Sequence, residues 1–213
     1  MPVLAVERDD QYLVATADTP LLAVWDATPK GLYPPVPPAE LPGGLGGLLL
    51  RGGFGQNFFF PADVLGLTFR TPKGRVVKAG GRVIKNVQGY DLVRPFIGSF
   101  GRLGEPLEAV LRLRPAAHVE LFVGQGDLAE VVRHFRFVWQ EEDRIYGLFA
   151  GYPAGLAELE GFTPANFPDY RDLFPNGMGL GEEGPLKDLR FTWADGGQAP
   201  PVPEPFRRLA EAL

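Results

Sequence analysis

The chain has 213 residues, enough for one large domain or two small ones with a sizeable buried core. A hydrophobic share of 45% with 22% charged residues marks a globular chain, and a net charge of −5 argues against a nucleic-acid binder. With no cysteine and two histidines, His118 and His134, the chain cannot itself supply a disulfide, a thiolate nucleophile, an iron–sulfur cluster or a multi-histidine metal site.

In chain order, alternating apolar residues predict strands at 3–6 and 12–17, joined by the polar Glu7-Arg8-Asp9-Asp10. Thr19-Pro20 reads as a helix N-cap followed by proline in the first turn, and Lys30-Gly31 closes that helix. Residues 34–47, PPVPPAELPGGLGG, read as a shaped loop, because proline removes donors and glycine permits unusual backbone angles. Strands at 64–70 and 75–79 form a hairpin around Thr71-Pro72-Lys73-Gly74, and 106–114 alternates as a half-buried antiparallel strand.

Pro115-Ala116-Ala117 is the expected boundary between residues 1–115 and a smaller α+β region over 116–213. Beyond it, a strand at 118–123 precedes a helix over 127–140, capped by Asp127, with Leu128, Val131, Val132, Phe135, Val138 and Trp139 on one stripe. Further strands are expected at 145–150 and 189–193, an irregular stretch at 161–187, and a terminal helix around Phe206–Leu213. The whole predicts an α+β protein with mainly antiparallel pairing. Acidic residues arrive too early for a signal peptide, and no apolar run is long enough to span a membrane, so a cytoplasmic protein without direct membrane insertion is expected.

No phosphate-binding loop, dinucleotide fingerprint or nucleophile elbow is present, and no acidic cluster has metal-ligand spacing. The chemistry-bearing feature is glycine, concentrated at 43–55, at Gly80, Gly81 and Gly89, and at 98–104. Such segments let backbone amides approach a ligand closely, and they equally serve tight turns in a compact β-rich fold, the reading that glycine counting alone favours.

The run Gly80-Gly81-Arg82-Val83-Ile84-Lys85-Asn86-Val87-Gln88-Gly89-Tyr90-Asp91-Leu92, then Arg94 and Gly98-Ser99-Phe100-Gly101-Arg102-Leu103-Gly104, resembles the signature of the glycolate oxidase GlcE subunit family. That family belongs to the FAD-linked oxidases of the vanillyl-alcohol oxidase (PCMH) type. Leu45-Gly46-Gly47, Asp63-Val64-Leu65-Gly66 and Asp195-Gly196-Gly197 are similar to further elements of it. The resemblance covers about residues 6–115, weakens over 116–190 and returns near the end.

It implies a PCMH-like second FAD subdomain, mainly antiparallel sheet with helices, plus a reduced α+β cap region. It implies FAD facing Gly46, Gly47, Asn86, Gly89, Tyr90, Gly98, Ser99, Gly101 and Gly104, with Lys85 and Arg94 offsetting pyrophosphate charge. The family's first subdomain, whose loop wraps the pyrophosphate, is expected to be missing, so FAD is expected to be held weakly or lost. The implied activity is that of a subunit in a 2-hydroxy-acid (glycolate) oxidase, with a larger flavin subunit and an iron–sulfur subunit as partners, or with self-association. The alternative is a flavin-free assembly subunit of such a complex. No catalytic residue is nominated, both histidines are expected to be structural, and an apolar groove lined by residues 45–50 and 58–60 is expected to receive the partner.

Overall fold

The computed structural model describes residues 3–82, 91–173, 186–187 and 203–213. Asn86, Gly89 and Tyr90, with Lys85, lie outside the described residues, as do Asp195–Gly197 and the strand expected at 189–193.

Strands β1 (Val3–Glu7) and β2 (Tyr12–Thr16) form the first hairpin, and helix α1 (Leu21–Ala27) leads to the short β3 (Leu32–Tyr33). Helix α2 (Gly44–Arg51) and a 3-10 turn (Phe60–Asp63) precede the hairpin β4 (Val64–Arg70) and β5 (Val76–Gly80). Helix α3 (Val93–Phe96), β6 (Glu105–Arg112) and β7 (Arg114–Pro115) complete this part. All pairings are antiparallel in the order β1-β2-β6-β4-β5, and β3 pairs with β7.

A second antiparallel sheet runs β11-β8-β10-β9-β12, built from β8 (His118–Gly124), β9 (Phe137–Glu141), β10 (Arg144–Gly151), β11 (Thr163–Pro164) and β12 (Leu186–Lys187). Between β8 and β9 lies the short helix α4 (Leu128–Val131), and α5 (Glu204–Ala212) ends the chain. The architecture is α+β with antiparallel sheets. Among the described residues, no helix is long and apolar enough to cross a membrane.

One core joins the two sheets. Leu13, Ala15, Leu67, Phe69, Ala109 and Leu111 from the first sheet pack with α1 and α2 and with Leu121, Phe137, Trp139 and Leu148 of the second. Period two sorts the second sheet's other face: Phe122, Val138, Ile145 and Phe149 join Leu128 and Phe135 in a separate cluster. The terminal helix returns to the β4–β5 hairpin, at whose turn the Lys73 ammonium and the Arg75 guanidinium donate to the carbonyls of Glu211 and Ala212. Cations at a helix C-terminus satisfy its free carbonyls.

Five local expectations need correction. The helix expected over 127–140 ends by His134, and the following residues form β9. The aromatic and β-branched Phe137, Val138 and Trp139 pair with β10 across a two-residue turn, with Glu142 at φ 53°. Pairing both faces of this segment into apolar clusters outweighs continuation of the helix. The stretch 161–187, expected to be irregular, contains β11, a 3-10 turn (Arg171–Leu173) and β12.

Helix α2 begins at Gly44, within the stretch read as loop. Glycine is a poor helix former, but here it permits contact. A Cβ on Gly44 would lie 2.5 Å from the Thr19 carbonyl oxygen, and one on Gly47 would lie 2.6 Å from that of Pro42. The same helix buries Leu45, Leu48 and Leu49, and Phe60 is buried too. The expected apolar groove lined by 45–50 and 58–60 is therefore mostly core, with Phe59 left at 63% exposure.

The N-cap of α1 is Pro20 rather than Thr19, and its free amides are met from a distance in sequence. The buried Glu40 carboxylate accepts from Leu21 N and Leu22 N, both at 3.1 Å. Glu40 is itself held by Pro168 and Tyr170 through its backbone. Glu40→Ala is expected to lower stability by about 1.5–3 kcal/mol, the worth of a charge-assisted hydrogen bond to backbone amides. A urea midpoint unchanged from wild type would show that the cap contributes nothing.

Candidate functional site

Where the two sheets meet, two glycine-rich segments cross. Helix α2 ends at Gly52 (φ 85°), whose N–H donates to Leu48 O at 3.0 Å. Residues 53–57 then run along β9: Val138 N donates to Gly55 O at 2.7 Å, Asn57 N donates to Arg136 O at 3.0 Å, and Gln56 bridges to Phe137. The Asn57 amide tightens this seam by donating to the carbonyls of Val132 and Phe135 at 2.7 and 2.8 Å. From the other side, Gly98 N and Phe100 N donate to Leu49 O and Leu50 O, each at 2.9 Å. Gly52 and Gly98 sit back to back, so that a Cβ on Gly52 would lie 3.2 Å from the Gly98 Cα.

Two polar side chains are held at this crossing without partners. Gln56 and Ser99 are each only 5% exposed, and among the described residues neither the Gln56 amide nor the Ser99 hydroxyl finds a hydrogen bond. The Gln56 amide lies over Gly53, where a Cβ would fall 2.0 Å from its Nε2. Leaving such groups unpaired is unfavourable by about 1–3 kcal/mol each, and native proteins answer with ordered water or a ligand. Sequence reasoning does not single out Gln56, because its burial beside β9 arises only when remote segments meet.

Deeper in, Trp139 Nε1 donates to the Tyr170 hydroxyl at 3.0 Å, and that hydroxyl donates to Glu141 Oε2 at 3.3 Å. Burial, opposed by the Trp139 bond, pushes the Tyr170 phenol well above its ordinary range, so it stays a neutral donor. Trp139 stacks on Tyr146 with ring centres 5.4 Å apart and tilts against Phe54 at the same distance. These contacts hold β9, and with it Gln56, in place.

The structure separates the described glycine candidates. Gly46 N donates to Ala17 O at 2.7 Å, Gly47 N to Gly43 O at 2.9 Å, Gly98 N to Leu49 O at 2.9 Å and Gly104 N to Gly101 O at 3.2 Å. A Cβ on Gly104 would lie 2.0 Å from Arg70 O. These four amides are committed inside the fold, and a phosphate would have to compete with their carbonyl partners. Gly101 differs: at φ 79°, nothing among the described residues stands within 4 Å of where a Cβ would lie. Ser99, with its free hydroxyl, lies two residues away. Asp91 and Arg94 pair with each other at 2.8 Å on the surface.

Both histidines pair with carboxylates. His118 Nε2 lies 3.0 Å from Glu120 Oε2, and His134 Nδ1 lies 3.1 Å from Glu158 Oε2.

Comparison with known proteins gives this crossing its context. The chain is 35% identical over 118 residues to the glycolate oxidase subunit GlcD of Bacillus subtilis, covering 52% of this chain and 25% of that protein. It is 34% identical over 126 residues to the D-lactate dehydrogenase of Archaeoglobus fulgidus, covering 54% and 27%. Over a shorter span of 58 residues it is 41% identical to the glycolate oxidase subunit GlcE of Escherichia coli, covering 27% and 17%. Over about half of its length, this chain is similar to proteins of the FAD-linked oxidoreductase kind. The relationship is wider than GlcE, the family singled out from the sequence, since GlcD and a D-lactate dehydrogenase match over longer spans. The chain spans about a quarter of the length of the GlcD and D-lactate dehydrogenase relatives. Residues 122–196 match a family of unknown function, DUF5639. Among solved structures, an alkyldihydroxyacetonephosphate synthase is similar at 19% identity with a TM-score of 0.47, covering 64% of this chain and 28% of that one.

Proposed function

We propose that this chain is a subunit of a flavin-dependent 2-hydroxy-acid oxidase or dehydrogenase of the glycolate oxidase kind, to which it contributes an FAD-linked-oxidase-type (PCMH-like) second subdomain. The observation that carries the reading is the unpartnered polar pair at the crossing, Ser99 and Gln56, in a chain related to FAD-linked oxidoreductases. Among the described residues, the fit to FAD is local. The Ser99 hydroxyl and the Gln56 amide can donate to and accept from a flavin's polar edge, and the open face of Gly101 admits close approach. Gly46, Gly47, Gly98 and Gly104, expected to face the cofactor, have backbone amides that already donate within the fold.

Bound flavin supplies the hydride acceptor that oxidises a 2-hydroxy acid to a 2-oxo acid. What this chain supplies is a rigid backbone frame and two hydrogen-bonding side chains. Catalytic side chains and the larger part of the cofactor site would come from a flavin-carrying partner subunit. Because the chain has no cysteine, an iron–sulfur relay would sit on another subunit.

Ser99→Ala separates this reading from a purely architectural one. Removing a buried hydroxyl without a partner should leave the thermal melt unchanged or slightly raised, because its desolvation is relieved. Flavin retained by the co-purified complex should fall several-fold, measured as flavin released on denaturation. Unchanged flavin content in Ser99→Ala and Gln56→Leu complexes would sink the flavin-contact reading. The four committed amides favour a second reading, a flavin-free assembly subunit. In that case the complex assembles and oxidises glycolate, yet neither substitution alters its flavin affinity.

A further inference from the structure

A pocket of about 370 Å³ opens on a different part of the molecule, where the turn after α1 meets the junction of β7 and β8. Trp25, Leu32, Val119 and Phe167 supply apolar wall, and Lys30 and His118 are the ionisable groups that line it. We propose that this pocket binds a small monocarboxylate with an aromatic or branched apolar body.

The walls are held in place before any ligand arrives. Trp25 Nε1 donates to Pro37 O at 3.0 Å, fixing the indole, and Phe167 meets that ring edge-on at 5.2 Å. The floor is pinned by backbone bonds, Leu32 N to Pro29 O at 3.1 Å and Ala116 N to Gly31 O at 3.0 Å, and by the β3–β7 pair. A pre-formed site binds without the ordering entropy that weakens mobile ones.

Charge then selects the ligand. The His118 ring is matched by Glu120 at 3.0 Å, whereas Lys30 has no carboxylate partner among the described residues. One uncompensated cation beside aromatic wall suits one anionic group on an apolar body. The volume lies at the small end of ligand pockets, about right for one ring with a short acid arm. Phe167, at 36% exposure, is an aromatic surface left partly open for such a body.

The test uses the full chain and two probes that differ only in charge, phenylacetate and phenylacetamide. Phenylacetate should cause saturable NMR shifts at the Trp25 indole and the amides of Gly31 and Ala117. Phenylacetamide should bind roughly fivefold more weakly, the loss of one charge-assisted contact. Lys30→Gln, an exposed substitution, should abolish the difference between the probes. Non-saturating shifts, shifts centred elsewhere, or equal affinity for both probes would overturn the proposal. The probe comparison on the wild-type chain decides this even where the variant misfolds.

Discussion

Arg114→Met should lower the unfolding free energy by about 3–5 kcal/mol, because it strands a charge that the fold has taken out of water. The Asp63 side chain is 2% exposed and accepts from Arg114 Nε at 3.1 and 3.0 Å and from Nη2 at 2.6 Å. This pair ties the 3-10 turn before β4 to β7, and therefore fixes the entry to the β4–β5 hairpin. The hydrogen bonds that Arg114 donates to Asp63, partly opposed by burial, raise the Arg114 pKa further, so the cation persists at every working pH. Removing the carboxylate instead is milder. Asp63→Ala leaves a guanidinium that is one-third exposed and partly hydrated, for a loss of about 1–3 kcal/mol. The double variant Asp63→Leu, Arg114→Met should be more stable than Arg114→Met alone, since no ion is left buried. Urea denaturation of the four proteins reads these differences directly. An Arg114→Met midpoint within error of wild type would mean that the pair does not hold the turn.

Gly104→Ala is the second large effect, at about 3–5 kcal/mol, against about 1–2 kcal/mol for Gly101→Ala. Both glycines have positive φ, 131° and 79°. Their surroundings differ. At Gly104 the added Cβ would meet Arg70 O at 2.0 Å and Thr71 Cα at 3.0 Å, backbone atoms of the hairpin that cannot swing aside. At Gly101 nothing among the described residues stands within 4 Å, so only backbone strain is added. Gly101→Ala is therefore the variant that keeps the fold while probing close approach of a cofactor. Equal thermal melts for the two variants would refute the distinction.

Where local chemistry decides structure, the sequence was a sufficient guide. The turn Thr71–Gly74 was legible because proline and glycine stand where such a turn needs them. Gly74 sits at φ 81°, and its N–H donates to Thr71 O at 2.8 Å. The alternation through β6, the capping of α4 by Asp127 and the amphipathic end of the chain were legible for the same reason. Each is specified within a few residues.

What the sequence did not disclose depends on partners far away along the chain. Residues 137–139 fit a helical pattern until pairing with β10 and with Gly55 makes them part of β9. A glycine that avoids its own chain's carbonyl, as Gly47 does at Pro42, looks in sequence like one with open space beside it among the described residues, as Gly101 has. Likewise, Glu40 becomes a helix cap and Gln56 an unpaired buried amide only when remote segments close over them. Composition and motif determined the α+β class, the absence of cysteine chemistry and the similarity to FAD-linked oxidoreductases, because these are properties of residues and their near neighbours. Which amides remain free to bind, and which polar groups are left without partners, was decided by packing, since burial and backbone approach exist only after distant segments meet.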